Sequence, residues 1–121
     1  MERRQQKHHR ERLSEALREE IETILEGELG DPRIGLVSVS AVEMAEDGRS
    51  AHIRVAVAGD DEEAERTLEG LDAAKNFVRH EIAERLRLRR PPELFFRIDR
   101  SQQLEGRVDE LLERARKRQK K

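Results

Sequence analysis

The side chains best spaced for chemistry in this sequence are cations that could hold phosphate groups. Lys75, Arg79 and Arg87 recur at multiples of four residues, so on a continuous helix they would form one ridge. Arg89 and Arg90 follow closely, with no acid between Arg85 and Arg90. Guanidinium groups suit phosphate recognition, and phosphate contacts give affinity without reading base sequence. The spacing therefore predicts a phosphate-binding face.

The charges of the chain are separated along its length, although the net charge is only −2. Residues 43–72 contain ten acids and three basic residues, whereas residues 79–100 contain seven basic residues and four acids. Separated charge steers a polyanion to one face of a protein. The alternative is a solvated helix with ion pairs such as Glu81 with Arg85, which explains the basic run 85–90 less well. The acidic segment 60–69 supports a second interpretation, a protein-interaction module that binds a basic protein.

The segment just before this basic region predicts a bend at Ala74, Lys75 and Asn76. Asparagine tolerates positive φ better than any residue except glycine, so Asn76 favours a break between two helices. A break would free backbone N–H groups that, with the helix dipole, bind anions beside Lys75. Helical periodicity also continues through the segment, so a single helix with Asn76 exposed is the alternative.

We find no residues that indicate catalysis, a metal or a cofactor. His8 and His9 are adjacent, so on a helix they point about 100° apart and do not chelate together easily. His52 and His80 have no second ligand at a suitable spacing, cysteine is absent, and the glycines follow no phosphate-loop pattern. The sequence therefore predicts a protein that is not an enzyme and has no small-molecule substrate.

The size and hydropathy of the chain predict one domain in the cytoplasm. A length of 121 residues suits a single core without disulfides. No apolar run approaches the roughly 20 residues that span a membrane. The first twelve residues lack the apolar stretch of a secretory signal. We therefore expect a cytoplasmic monomer with no membrane partner.

The periodicity of apolar residues predicts an α+β domain with two layers. Leu13, Leu17, Ile21 and Ile24 form one stripe of a first helix, and Asp47-Gly48 predicts a hairpin. The predicted elements are a flexible segment 1–6, helix 7–28, strands 36–43 and 49–58, a helix that acids from residue 60 onward would cap, a helix 77–88, strand 93–99, helix 101–116, and a basic disordered tail 117–121. Residues 7–100 would form the main domain.

Several motifs in a fixed order resemble the ribosome-binding factor A family over residues 10–112. No single motif is specific, but their order and spacing together are. They are Ile24-Leu25, Glu28-Leu29, Asp31-Pro32-Arg33, the strand 37–43, Ala51-His52-Ile53-Arg54-Val55, Gly59, Phe77-Val78-Arg79, residues 86–89, residues 92–96 and Asp99-Arg100-Ser101.

The resemblance implies a K-homology-like fold of the order α-β-β-α-α-β, with an added C-terminal helix. In that family an Ala-x-Gly kink between two helices replaces the glycine-rich RNA-binding loop. Ala74, Lys75 and Asn76 occupy it here, so this chain departs from the family pattern by having Asn76 at the glycine position. It further implies binding to the free 30S subunit and its 16S rRNA, late maturation of the rRNA 5′ end, and a link to growth in the cold. No catalysis or cofactor is implied. The predicted RNA-binding residues are Lys75, Asn76, Arg79, Arg87, Arg89 and Arg90; a third possible function is a general RNA chaperone.

Overall fold

Two long helices and a three-stranded sheet make up most of the computed structural model, which describes residues 2–27, 32–99 and 114–117. The predicted α+β class is confirmed. In chain order the elements are α1 (Glu2–Gly27), β1 (Val37–Met44), β2 (Ser50–Val57), α2 (Asp61–Leu86) and β3 (Glu93–Ile98). Residues 114–117 are also helical.

Helix α1 packs the predicted apolar stripe against the sheet. Leu17, Ile21 and Ile24 are fully buried, and Leu13 is partly buried against the same core. The helix begins at Glu2, so the expected start at residue 7 is wrong. Residues 4–6 are Arg, Gln and Gln, which are straight-chain helix formers with no breaker among them.

Strands β1 and β2 form the predicted antiparallel hairpin, with Val42 opposite Ile53. The Ala45 N–H donates to the Ser50 carbonyl (3.0 Å), and the Gly48 N–H donates to the Ala45 carbonyl (3.0 Å). Gly48 has φ 72°, which is the conformation that glycine adopts at little steric cost. The Asp-Gly turn prediction is therefore confirmed.

Helix α2 is one helix of 26 residues, whereas the sequence favoured two helices broken at Ala74, Lys75 and Asn76. Its first turn is capped by the Asp60 carboxylate, which accepts a hydrogen bond from the Glu63 N–H (2.8 Å). Asn76 is exposed, and its φ is not positive. The expected break, the positive φ at Asn76 and the freed N–H groups are therefore wrong, and the alternative of a single helix is correct.

A continuous buried stripe explains why this helix does not break. Ala64, Thr67 and Leu71 before the segment, and Val78 and Ile82 after it, are all buried. Their spacing keeps one 3.6-residue phase from end to end, so an uninterrupted helix buries both halves against the same sheet. The alanines at 73 and 74 and Lys75 are strong helix formers, which outweighs the modest unfavourable propensity of one asparagine.

Strand β3 completes the sheet in the order β1-β2-β3 and runs parallel to β2. Ile53 pairs with Phe96, and both side chains belong to the core shared with α1 and α2. The element order is therefore α-β-β-α-β, one helix fewer before β3 than the expected α-β-β-α-α-β. The predicted C-terminal helix and basic tail lie mostly outside the described residues, which include 114–117 alone of that region.

Arg114 holds those four helical residues against α1. Its Nη1 donates to Glu22 Oε1 (3.0 Å) and to Glu26 Oε1 (2.6 Å). Glu22 also accepts a hydrogen bond from Ser38 Oγ on β1 (2.9 Å). Glu22 thus joins the C-terminal residues, the first helix and the edge strand. Neither α1 nor α2 is long and apolar enough to cross a membrane, and the helical run 114–117 is not either.

Candidate nucleic-acid interface

The connection from α2 to β3 presents three of the predicted cations on one short loop, residues 87–90, which we call the basic loop. Helix α2 ends because Arg87 adopts the left-handed conformation (φ 54°, ψ 48°). The Leu88 N–H then donates to the Ala83 carbonyl (2.9 Å), as in a Schellman-type helix end. Leu88 packs against the core, and this turns its neighbours outward.

The cations of the basic loop are exposed, and no carboxylate of the described residues neutralises them. Arg87, Arg89 and Arg90 are all exposed. Within residues 32–99 and the other described segments, no ion pair involves any of these three side chains. Three guanidinium groups within four residues, with no counterion among the described residues, produce a local positive field that favours an anionic partner.

Arg79 holds the far end of the basic loop in place. Its Nε and Nη2 both donate to the Pro91 carbonyl, at 3.2 and 2.8 Å. Arg79 therefore has a structural contact that the sequence did not predict, while its guanidinium remains exposed next to the loop. The buried Pro92 and the hydrogen bond from the Glu93 N–H to the Arg49 carbonyl (2.9 Å) then lead the chain into β3.

The structure does not assemble the predicted ridge of cations along the helix. Lys75 lies on α2 and pairs with Asp72 (3.5 Å), so its charge is partly balanced. Arg87 lies beyond the last helical residue, Leu86, and so leaves the four-residue spacing of Lys75 and Arg79. Asn76 is in mid-helix, where its backbone N–H belongs to the helix ladder. The predicted cations therefore form a loop cluster near Arg79 rather than a ridge.

One cation near the basic loop was missed by the sequence reasoning. Arg49 is exposed, and its carbonyl accepts the first hydrogen bond of β3 from Glu93. It therefore lies beside the end of the loop although it is about forty residues away in sequence. Nothing in the local sequence marks this position, because the parallel pairing of β2 with β3 is a long-range event.

A separate groove with acidic side chains lies between the first half of α2 and β3. Leu68 and Phe96 form its apolar floor, and Glu65, Glu69 and Asp72 form its rim. Of the predicted acidic segment 60–69, Glu65 and Glu69 line this groove.

The other ionisable groups that the structure describes lie mainly in exposed helix pairs. No cluster of three or more metal-ligating side chains occurs among the residues that the structure describes. His8 lies 3.8 Å from Glu11, and His80 lies 3.4 Å from Glu84, both on exposed helix surface. A hydrogen bond from Arg18 lowers the pKa of the Glu15 carboxyl, and the same bond raises the pKa of Arg18. That pair lies on α1.

The fold and the basic loop together define a small α+β domain that presents a cluster of exposed cations. The profile of the ribosome-binding factor A family matches residues 9–112. A Koribacter versatilis protein named ribosome-binding factor A is 62% identical over 120 residues, which are 99% of this chain and 98% of the relative. The chain belongs to the ribosome-binding factor A family, as the resemblance in its motifs predicted.

Solved structures of the same family share the fold. The crystal structure of ribosome-binding factor A from Thermus thermophilus superposes with a TM-score of 0.67 at 28% identity, covering 74% of this chain and 93% of that one. A Thermus thermophilus homology model, fitted into a cryo-electron microscopy map of a complex between the 30S subunit and ribosome-binding factor A, gives a TM-score of 0.60 at 30% identity. It covers 72% of this chain and 91% of its own.

Proposed function

We propose that this chain binds the free 30S ribosomal subunit during its assembly, with the basic loop contacting phosphates of the 16S rRNA. The observation that supports this is the set of three exposed, unneutralised arginines at 87, 89 and 90, beside Arg79. Membership of the family supports the choice of partner, since a Thermus relative is described in a complex with the 30S subunit.

The finer role that we propose is late maturation of the 16S rRNA near its 5′ end, without a catalytic step, a cofactor or a small-molecule substrate. The chain would act as a monomer in the cytoplasm, where assembling subunits are found. We also retain the K-homology-like relationship as part of the proposal. It is supported by a sheet in which β2 pairs antiparallel with β1 and parallel with β3.

Co-sedimentation with purified free 30S subunits across a salt series tests the binding face. We expect Arg89→Glu/Arg90→Glu to weaken binding and to flatten the dependence on salt, by about 0.7 in logarithmic slope for each lost phosphate contact with single strands. These two arginines are preferable to Arg79, whose loss would also release Pro91. The matched control is Arg12→Glu/Arg66→Glu, which changes the net charge equally on exposed helix surface. Equal loss in both double variants would reject the basic loop as the contact.

The proposed role in maturation is tested in cells that depend on this chain. Cells carrying Arg89→Glu/Arg90→Glu should accumulate 16S rRNA with unprocessed 5′ ends, most strongly at low temperature. Primer extension measures those ends directly. If the variant fails to sediment with 30S subunits while the 16S rRNA 5′ ends in the same cells are normal, that result contradicts the proposed role in maturation. Strong binding to unrelated RNAs that compete equally would instead favour a general RNA chaperone.

A second candidate function is protein binding by the acidic groove. Its apolar floor, Leu68 and Phe96, lies between carboxylates that would complement a basic segment of a protein. Glu65→Lys/Glu69→Lys should then abolish the binding of any partner that still binds after nuclease treatment. The salt dependence of 30S binding should be unchanged. If nuclease removes every partner of the unchanged chain, this candidate is rejected.

A further inference from the structure

The sheet surface that faces away from α1 and α2, which we call the outer face, exposes an aromatic ring. The chain has only three aromatic residues of the Phe, Tyr and Trp type, all of them phenylalanine. Phe96 is in the core, but its neighbour Phe95 is 38% exposed. Alternation along β3 places Phe95 and Arg97 on the outer face, while Leu94 and Phe96 face the core.

A histidine on the next strand supports this ring. His52 pairs with Phe95 in the β2–β3 register. The two ring centroids are 5.3 Å apart and the planes are inclined by 21°, so the rings are stacked. The His52 Nδ1 is buried and makes no hydrogen bond to any described group. The imidazole therefore provides a flat surface against which the phenyl ring packs.

Two guanidinium groups lie next to this aromatic pair on the same face. Arg54 pairs with Arg97 in the register, two residues beyond His52 and Phe95. Two residues of strand correspond to about 6.6 Å. Like charges directly opposite each other on a sheet are destabilising, and the exposed ion pair of Arg54 with Glu43 (3.4 Å) offsets that repulsion only in part. An anion placed between them would remove that repulsion.

The acidic side chains of the outer face are distributed unevenly around the aromatic pair and the two arginines. Glu43 is opposite His52 and forms an exposed ion pair with Arg54 (3.4 Å). Glu93 lies two residues before Phe95, on the far side of the aromatic pair from Arg97. No carboxylate of the described segments pairs with Arg97. Along β3 the outer face therefore runs from an acid, Glu93, through the aromatic pair to Arg97, and Glu43 on β1 balances Arg54 but not Arg97.

We propose that the outer face binds a single-stranded segment of RNA, with one base stacked on Phe95 and its neighbouring phosphate held by Arg97 and Arg54. A sheet that carries aromatic and basic side chains is suited to this, because every base has a π-face and the backbone is anionic. Duplex RNA fits the face poorly, since its bases are stacked inside the helix. The inference deepens the proposed function and rests on it, because it assigns a second RNA contact away from the basic loop.

Fluorescence anisotropy with a labelled single-stranded RNA of about 12 nucleotides, within the site sizes typical of single-strand binders, tests the stacking contact. Phe95→Ala should weaken binding by about fivefold to 150-fold, the range for losing one stacked base, with little change in the salt slope. Phe95→Leu keeps an apolar side chain on the strand but lacks the π-face, so it should weaken binding similarly. Arg97→Ala should lower the salt slope by about 0.7. Each variant is first checked for an unchanged unfolding temperature.

The matched control is Phe77→Ala, because Phe77 is 45% exposed on α2 and not on the sheet. It should bind the oligonucleotide as the unchanged chain does. The inference is overturned if Phe95→Ala and Phe77→Ala lose affinity equally, if the unchanged chain does not bind the oligonucleotide, or if a duplex of the same sequence or a free mononucleotide binds as tightly. Sedimentation of the unchanged chain with 30S subunits is measured in parallel. If the unchanged chain does not sediment with 30S subunits, the proposed function itself is rejected. If it does sediment but Phe95→Ala leaves oligonucleotide affinity unchanged, only this inference is rejected.

Discussion

Arg87 shows how a single residue combines a structural and a charged role. It is the one non-glycine residue with positive φ among residues 2–27, 32–99 and 114–117. The left-handed conformation costs a non-glycine residue about 1–2 kcal/mol. It is stable here because Leu88 returns to the core and donates to the Ala83 carbonyl. Mutation can separate the two contributions of Arg87, its backbone strain and its positive charge.

We expect Arg87→Gly to raise the free energy of unfolding by about 1 kcal/mol, because glycine adopts this φ without the steric penalty. Arg87→Ala keeps the penalty and should change stability by less than about 0.5 kcal/mol. Both variants remove the same charge and should weaken 30S binding equally. Urea denaturation measures the stabilities, and destabilisation by glycine would show that Arg87 is not strained.

Gly70 is a second residue whose type is explained by its neighbours. A Cβ at this position of α2 would lie 2.7 Å from Ile34 Cγ1 and 3.2 Å from Arg33 Cβ. The chain before β1 therefore crosses the helix at close range, and that approach requires a residue without a side chain. Gly35 and Thr67 connect the same two segments, because the Gly35 N–H donates to Thr67 Oγ1 (3.2 Å).

Gly70→Ala should lower the free energy of unfolding by about 1 kcal/mol. Alanine gains roughly 1 kcal/mol of helix propensity, but overpacking against Ile34 costs typically about 1–3 kcal/mol. Gly27→Ala is the control, since nothing lies within 4 Å of a Cβ there. When Gly70→Ala is combined with Ile34→Ala, the two changes in stability measured by thermal denaturation should not add, because Ile34 is the side chain that the new methyl group contacts. Stabilisation by Gly70→Ala alone would contradict the close approach.

At the scale of the element, α2 determines how the charges of the molecule are arranged. Its first turn carries Asp61, Glu62 and Glu63, and the basic loop begins one residue after its end. A helix of 26 residues is about 39 Å long, so these opposite charges lie at its two ends. Acids at the N-terminus and cations at the C-terminus also stabilise the helix dipole. The charge separation thus has a structural benefit as well as the proposed binding role.

The continuity of α2 predicts opposite signs for two substitutions of Asn76. In mid-helix, Asn76→Ala should stabilise the protein by about 0.5 kcal/mol, and Asn76→Gly should destabilise it by about 0.3 kcal/mol. At a kink with positive φ the signs would be reversed, because glycine would relieve strain there and alanine would add it. Urea denaturation of the two variants distinguishes these cases, with Ala73→Gly as an exposed helix control.

At the scale of the whole molecule, Glu22 connects parts of the chain that are far apart in sequence. Its side chain is only 16% exposed, and it accepts hydrogen bonds from Ser38 on β1 and from Arg114 near the C-terminus. Arg18 of the same helix lies 3.5 Å away. A carboxylate with this many donors tolerates partial burial because its lost hydration is replaced.

A double-mutant cycle of Glu22→Gln and Arg114→Ala should give a coupling energy of about 0.5–1 kcal/mol, since one partner is largely buried and the other is 43% exposed. The coupling should fall as salt is raised. The matched cycle of Glu26→Gln with Arg114→Ala should give less, because Glu26 is more exposed. Chemical denaturation measures all four stabilities of each cycle. A coupling near zero would mean that the 114–117 segment is not held on α1 in solution.

The amino-acid sequence by itself determined the elements whose signals are local. The stripe of Leu17, Ile21 and Ile24, the Asp47-Gly48 turn and the cap at Asp60 each depend on neighbouring residues, and all three predictions are confirmed. The ordered motifs determined the family for the same reason, since order and spacing are properties of the sequence. The exposed cations of residues 87–90 were also predicted, because a run of arginines without acids can hardly be buried.

Only the tertiary structure decided where those residues lie relative to one another. Asn76 alone favours a break, but burial of one stripe from Ala64 to Ile82 against the same sheet favours a continuous helix. Arg79 contacts Pro91, Arg49 adjoins Glu93, and His52 stacks on Phe95 because β3 returns parallel to β2. Such long-range contacts depend on packing of the whole chain. No local pattern encodes these contacts. Because of them, the exposed cations lie in the basic loop and on the outer face rather than along the predicted helix ridge.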